Sequence, residues 1–312
     1  MTMALYALLL VAGLLLVVKG ADFLVDGASS LARRWGLSEF VIGLTIVGMG
    51  TSAPEMVVSF IGAFEGNADI SVGNVVGSNI FNTLLILGVT ALILPIGVTA
   101  ENRRRDVPMN LLITVLLVGL GLLGGSLSRW DGAILLALFV GYLWLSFRQK
   151  QENPGDAHKE ERKAWLSVLM VLGGLAMLVG GGKLFVDNAV SIAHSLGVSD
   201  KFIAITILAG GTSLPELATC VAAAVKKKGQ LALGNILGSN IFNILLILGG
   251  SALITPLSFE NITPVDLCAL TASAVVLVAA ALIGRKKQMG WISGTCFVLL
   301  FAAYMTYLII KL

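Results

Sequence analysis

Charge is scarce in this chain. Of 312 residues only 12% are charged, 57% are apolar, and the mean hydropathy is +0.93. A soluble domain carries about 25% charged residues, so a soluble globular protein is excluded and the chain reads as an integral membrane protein lying almost wholly within the bilayer. Histidine is nearly absent, with two residues, which leaves little room for histidine acid–base chemistry. The three cysteines, Cys220, Cys268 and Cys296, are odd in number, lie in apolar runs and show no ligand spacing. They read as packing thiols. No nucleic-acid-binding, phosphate-loop or organic-cofactor signal is present, and no obligate protein partner is evident. The first apolar run, Ala4 to Val18, lacks a small-residue cleavage site and is not expected to be a removed signal peptide.

What is present is long apolar sequence. A bilayer core of about 30 Å needs roughly 20 residues of helix. Ten apolar runs meet that need, at 4–25, 38–64, 71–94, 107–125, 131–147, 165–187, 200–225, 230–254, 265–284 and 290–311. The longest interruption, "RQKQENPGDAHKEER" from Arg148 to Arg162, is charged and carries Pro154-Gly155. It reads as a solvated linker. The expected organisation is therefore a five-helix repeat at 1–147, a linker at 148–164 and a second five-helix repeat at 165–312.

The two halves are copies. Shifted by 161 residues, Thr45 falls on Thr206, Glu55 on Glu216, Asn82 on Asn243 and Trp130 on Trp291. Between 41–95 and 202–256 there are 26 identities in 55 positions, which marks an internal duplication. An odd number of spans per copy makes the second copy enter the membrane from the opposite side. The expected fold is thus all-α and polytopic, with ten transmembrane helices in two inverted repeats, an architecture common among secondary transporters. Loop charge agrees: 16 of the 21 Lys and Arg residues lie in loops on one side, including Arg103, Arg104, Arg105, Lys226, Lys227 and Lys228. By the positive-inside rule that side is cytoplasmic and both termini face out.

Two apolar runs contain the same polar, helix-breaking segment, "GMGTSAPE" at Gly48 to Glu55 and "AGGTSLPE" at Ala209 to Glu216. Pro54 and Pro215 each remove a backbone donor and clash with the preceding turn, so spans 2 and 7 should break there. A break at membrane depth is tolerated only where protein or a polar cavity satisfies the backbone. A carboxylate at that depth costs several kcal/mol more. A hard cation suits both features, because Ca²⁺ and Na⁺ take oxygen from carboxylates, hydroxyls, amides and carbonyls. Neutral oxygen donors follow in "GNVVGSNIFN" and "GNILGSNIFN", where Ser78 with Asn82, and Ser239 with Asn243, are four residues apart and share a helical face. Gly73, Gly77, Gly234 and Gly238 suit close helix approach. Two carboxylates match one Ca²⁺, or two to three Na⁺ with help from neutral oxygens. Asp26 and Asp187 lie near span ends and read as interfacial contacts, and His194 as a surface residue. An intramembrane serine enzyme built on Ser52 or Ser213 would need a base in reach, and neither histidine lies in an apolar run. A channel is disfavoured by paired carboxylates, which favour occlusion.

"GTSAPE" with "GNVVGSNIFN", repeated as "GTSLPE" with "GNILGSNIFN", resembles the paired α-repeats of the cation/Ca²⁺ exchanger superfamily, and within it the prokaryotic Na⁺/Ca²⁺ exchangers. The resemblance spans all ten runs. It implies a secondary antiporter, not an enzyme, in the plasma (inner) membrane of a prokaryote, with Ca²⁺ and Na⁺ as transported ions and no cofactor. It implies Glu55 and Glu216 as shared ligands, with further oxygens from Thr51, Thr212, Ser78 and Ser239, and Ser52 and Ser213 close by. It also implies Na⁺ contacts from the carbonyls of Gly48 and Ala209, and a sliding of spans 1 and 6 across the other eight. K⁺-dependent relatives carry aspartate where this chain has Asn243, so no K⁺ requirement is expected. Ca²⁺/H⁺ exchange through the same two glutamates is the alternative.

Overall fold

The computed structural model describes residues 3–66, 68–148, 163–197, 209–283 and 287–311. Most of the linker and the first part of the expected seventh span lie outside these residues. In chain order the helices are α1 (Met3–Trp35), α2 (Glu39–Thr51), α3 (Ala53–Phe64), α4 (Ile70–Ile93), α5 (Asn102–Gly124), α6 (Arg129–Phe147), α7 (Ala164–Ser195), α8 (Leu214–Val225), α9 (Gly229–Ile254), α10 (Pro264–Ile283) and α11 (Trp291–Lys311). Among the described residues, eight helices are long and apolar enough to cross a membrane, and a ninth crossing is the pair α2–α3, bent by 48°. The outer faces expose large apolar side chains, among them Leu8, Leu15, Leu122, Leu172 and Leu299. So much contiguous apolar surface belongs against lipid. Cys220 is buried, but Cys268 and Cys296 are exposed on α10 and α11, so only the first is a packing thiol.

The all-α expectation needs amending at the helix ends. Four two-residue strands, β1 (Ile96–Gly97), β2 (Ser126–Leu127), β3 (Leu257–Ser258) and β4 (Gln288–Met289), form antiparallel ribbons β1–β4 and β2–β3. Each ribbon joins the first half of the sequence to the second.

α1 and α7 are far longer than the 4–25 and 165–187 runs. At about 1.5 Å per residue, α1 is about 50 Å long and α7 about 48 Å. The charges that suggest an end to α1 are accommodated within it. Lys226 Nζ lies 3.1 Å from Asp22 Oδ1 and 2.9 Å from Asp26 Oδ1, and Lys228 pairs with Glu39 at 3.0 Å. Asp187 and His194 are exposed. Gly36, at φ +64°, and Gly197, at φ +78°, follow the two helices in the left-handed conformation that glycine adopts without strain.

α1 and α7 pack antiparallel along a glycine seam. A methyl group on Gly13 would stand 2.7 Å from the Phe185 backbone, on Gly20 2.8 Å from the Gly174 carbonyl, and on Gly27 2.8 Å from the Ser167 carbonyl. Gly174 and Gly181 answer from α7, 2.7 Å from the Gly20 carbonyl and 2.9 Å from the Gly13 carbonyl. The missing side chains let the two backbones touch, which is how helices gain packing where lipid supplies no hydrophobic drive. Ser167 Oγ donates to Ser30 Oγ at 2.8 Å near one end of the seam.

α9 is the central element, buried without interruption from Leu231 to Phe242. It lies against α2, where methyl groups on Gly234 and Gly238 would come within 2.8 Å of the Leu44 backbone. Among the described residues Gly73 and Gly77 show no such approach: the nearest neighbour of the former is Ile262 at 3.9 Å and nothing lies within 4 Å of the latter. The stretch that the repeat sets opposite them, near 201–205, lies outside the described residues. π-helical turns interrupt the regular ladder at Gly43–Val47, Phe81–Ile86, Asn102–Asp106 and Asn243–Leu248. The second directly follows one "GSNI" segment and the fourth follows the other after Phe242, and π turns recur at functional sites.

Candidate functional site

The site is built where two helices restart. α2 ends at Thr51, Ser52 breaks the helical path at φ −80° and ψ 9°, and α3 begins at Ala53 with Pro54 in its first turn. In the second half a short turn, Ala209–Gly211, precedes Ser213, at φ −86° and ψ 7°, and α8 begins at Leu214 with Pro215 in the same place. Proline fits a first turn, where no intrahelical donor is needed. Glu55 and Glu216 thereby fall in the first turns of α3 and α8, where the helix dipole favours negative charge. Both are fully buried.

The two restarts hold each other across the chain. Ser52 Oγ donates to Glu216 Oε1 at 2.9 Å, and Ser213 Oγ donates to Glu55 Oε1 at 3.2 Å. Under the 161-residue shift each bond is the image of the other. Ser78 Oγ reaches the same Glu55 oxygen at 3.5 Å. Thr212 lies near Glu55, and Thr51 and Ser239 lie near Glu216. Thr51 Oγ1 also donates to Asn235 Oδ1 at 3.2 Å. The Gly48 carbonyl stays in the helical ladder, accepting from Ser52 N at 3.1 Å, and also takes Ser239 Oγ at 3.4 Å. Ala209 opens the short turn before the second break.

Asn82 and Asn243 are fully buried. Asn243 Nδ2 donates to Asn79 Oδ1 at 2.9 Å, whereas neither terminal atom of Asn82 has a partner. Glu55 Oε2, Glu216 Oε2 and Asn243 Oδ1 are likewise buried without partners. An orphaned buried polar group costs about 1–3 kcal/mol, and more if charged. Four of these orphaned atoms, Glu55 Oε2, Glu216 Oε2, Asn82 Oδ1 and Asn243 Oδ1, are carboxylate or amide oxygens, two from each repeat. That donor set is the one a hard cation takes. Among the described residues no three His, Cys, Asp or Glu side chains cluster, so a cation here would depend on neutral oxygens as much as on charge.

Four asparagines join the site without an assigned role in the sequence. Asn74 Nδ2 holds the Glu55 carbonyl at 3.1 Å and Ser59 Oγ at 3.1 Å. Its image Asn235 donates to Cys220 Sγ at 3.2 Å. Asn79 Nδ2 donates to the Asn240 carbonyl at 3.1 Å, and Asn240 Nδ2 to Thr83 Oγ1 at 2.8 Å. The signal was the identity itself, since all four sit unchanged in both copies of "GN..GSN".

Deeply buried acids on broken helices, inside an apolar bundle and joined through hydroxyls, mark an integral membrane protein with a polar core. Comparison with known proteins gives the particular kind. The family described as sodium/calcium exchanger protein matches residues 5–148 and 166–310. The putative antiporter CaxA of Alkalimonas amylolytica is 40% identical over 309 residues, covering 94% of this chain and 95% of the relative. The sodium/calcium exchanger MaX1 of Methanosarcina acetivorans is 33% identical, covering 88% and 89%. A solved structure of the sodium-calcium exchanger NCX_Mj, soaked with 10 mM Na⁺ and 10 mM Sr²⁺, superposes with a TM-score of 0.86 at 33% identity, covering 98% of this chain and 99% of that one. The chain belongs to the sodium/calcium exchanger family, and it is a membrane antiporter rather than an enzyme.

Proposed function

We propose that this protein exchanges Na⁺ for Ca²⁺ across the membrane by alternating access, with Glu55 and Glu216 as ligands shared by both ions. The observation that carries this reading is the pair of buried glutamates, each bonded through one oxygen by a serine of the opposite half while its other oxygen has no protein partner. A site that either one divalent or several monovalent cations can satisfy, and that is costly without a cation, suits obligatory exchange. Thr51, Thr212, Ser52, Ser213, Ser78, Ser239, Asn82 and Asn243 supply the neutral oxygens, with backbone help from Gly48 and Ala209. NCX_Mj has been solved after soaks in Na⁺, Ca²⁺ and Sr²⁺, which supports the same cargo here.

The proposed frame is ten spans in two inverted five-helix repeats, 1–147 and 165–312, joined by a cytoplasmic linker at 148–164. Both termini face out in a prokaryotic plasma membrane. The short helix α8 with the residues before it would be the tenth crossing, the image of α2–α3. The test is ⁴⁵Ca²⁺ uptake into proteoliposomes loaded with Na⁺ and diluted into Na⁺-free buffer. Uptake should require the outward Na⁺ gradient and vanish in Glu55→Gln and in Glu216→Gln. Uptake that ignores Na⁺ and follows a pH gradient would replace this reading by Ca²⁺/H⁺ exchange.

A further inference from the structure

The sequence repeat makes Asn79 and Asn240 images of one another, and likewise Asn82 and Asn243, yet the structure treats the two pairs differently. Asn243 Nδ2 donates to Asn79 Oδ1 at 2.9 Å. The image bond, from Asn82 Nδ2 to Asn240 Oδ1, is not made, and both of those atoms are buried without partners. Asn240 instead gives its amide to Thr83 Oγ1 at 2.8 Å. The image of Thr83 is Ile244, which has no hydroxyl to offer Asn79. The pair Thr83 and Ile244 is thus a sequence difference that accompanies the asymmetry of the bonds.

The order of donors and acceptors then sets which atom of Asn243 is left unpaired. Asn79 Nδ2 points to the backbone carbonyl of Asn240 at 3.1 Å. A carbonyl only accepts, so the Asn79 nitrogen must face it, and Asn79 Oδ1 must face Asn243. That oxygen also only accepts, so Asn243 must turn its nitrogen to Asn79. The Asn243 oxygen is left over, buried and without a protein partner. An oxygen is the atom a cation can use, and a flipped amide would present N–H to it instead. The Thr83 hydroxyl can donate or accept, so no comparable chain fixes Asn240 or, through it, Asn82.

We propose that Asn79 is a positioning residue that locks Asn243 with its oxygen toward the cation, while Thr83 holds Asn240 away from Asn82 and leaves that second amide free to adjust. The two neutral amide ligands are thus inequivalent: one is fixed in advance and the other is set by whichever ion is bound. The proposal rests on Asn243 being an ion ligand, as given above.

The test is the KM for Ca²⁺ and the maximal rate of Na⁺-driven uptake in proteoliposomes. Losing one orienting hydrogen bond, Asn79→Leu should raise KM roughly tenfold with the maximal rate within about twofold of wild type. In an Asn243→Ala background the same substitution should add no further shift, since the two act as one unit. An equal shift with and without Asn243 overturns the proposal. If Asn79→Leu does not assemble, two milder exchanges decide. Ile244→Thr offers Asn79 a competing hydroxyl and should raise KM, whereas Thr83→Ile frees Asn240 to clamp Asn82 and should lower it. Shifts of the same sign overturn the proposal. An Asn243→Ala variant with wild-type KM removes its premise, and Na⁺-driven uptake that still vanishes in Glu55→Gln would show that the exchange reading itself survives.

Discussion

Replacing Glu216 by glutamine removes one of the two buried negative charges and changes little in shape. Glu216 is fully buried and accepts from Ser52 at 2.9 Å. The substituted amide keeps an oxygen for that hydroxyl, so the bend at Ser213 should persist. The loss then falls on the cation. Removing one partner of a buried charge pair costs about 3–5 kcal/mol, a loss of roughly 150- to 5,000-fold in Ca²⁺ affinity. Coulomb energy scales with the charge of the ion, so a bound Na⁺ should lose about half as much free energy, roughly ten- to seventyfold in affinity. Equilibrium ⁴⁵Ca²⁺ binding to purified protein, with Na⁺ as competitor, measures both numbers in one preparation. A logarithmic loss for Ca²⁺ about twice that for Na⁺ identifies the carboxylate as a charge ligand. Equal losses for the two ions would mean that the substitution merely disturbs the bundle, and would refute the reasoning. Glu55→Gln should behave alike, since Glu55 holds the image position and accepts from Ser213 at 3.2 Å.

Other expectations follow from the packing and the donor set. Gly174→Ala places a methyl group 2.7 Å from the Gly20 carbonyl and should destabilise by about 1–3 kcal/mol. Gly173→Ala beside it meets nothing within 4 Å and should stabilise by up to about 1 kcal/mol through helix propensity; thermal unfolding in detergent reads the opposite signs, and shifts of one sign would contradict the seam. Because Asn82 and Asn243 are both neutral, replacing K⁺ by choline should leave Na⁺-driven Ca²⁺ uptake unchanged, and a fall to background would show a K⁺ requirement. Lys226→Met breaks the contacts to Asp22 and Asp26, all three partly exposed. Its cost should stay under about 1 kcal/mol and fade in high salt; a larger or salt-independent loss of melting temperature would be inconsistent with an ion pair open to solvent.

The breaks were legible because proline and glutamate inside an apolar run violate two strong local rules at once. Pro54 cannot donate and Glu55 cannot cheaply be buried, and their recurrence at Pro215 and Glu216 tied them to one purpose. The bonds that join the breaks were not legible. Ser52 finds Glu216 at a separation of 164 residues, and no local pattern encodes that distance. The reach of α1 was hidden for the opposite reason, since Asp22 and Asp26 look like a membrane boundary until Lys226 is seen beside them. The glycine seam recurs every seventh residue, but in a run this apolar its period is masked by leucines and valines on every face. The π turns leave no residue signature, because Phe81–Ile86 reads as ordinary helix until its hydrogen bonds are drawn.

The seam between α1 and α7 acts as a key as well as a glue. Its glycines recur at a spacing of seven, so sliding one helix past the other by a single turn, about 5.4 Å, would press Val17 or Leu24 into the opposite backbone where Gly13 or Gly20 had been. Intermediate registers are sterically closed, and the next open one lies about 10.5 Å away, too far for a bundle of this depth to follow. The two helices are therefore geared together and must move as one lever. A displacement of either helix along the seam should therefore carry the other with it.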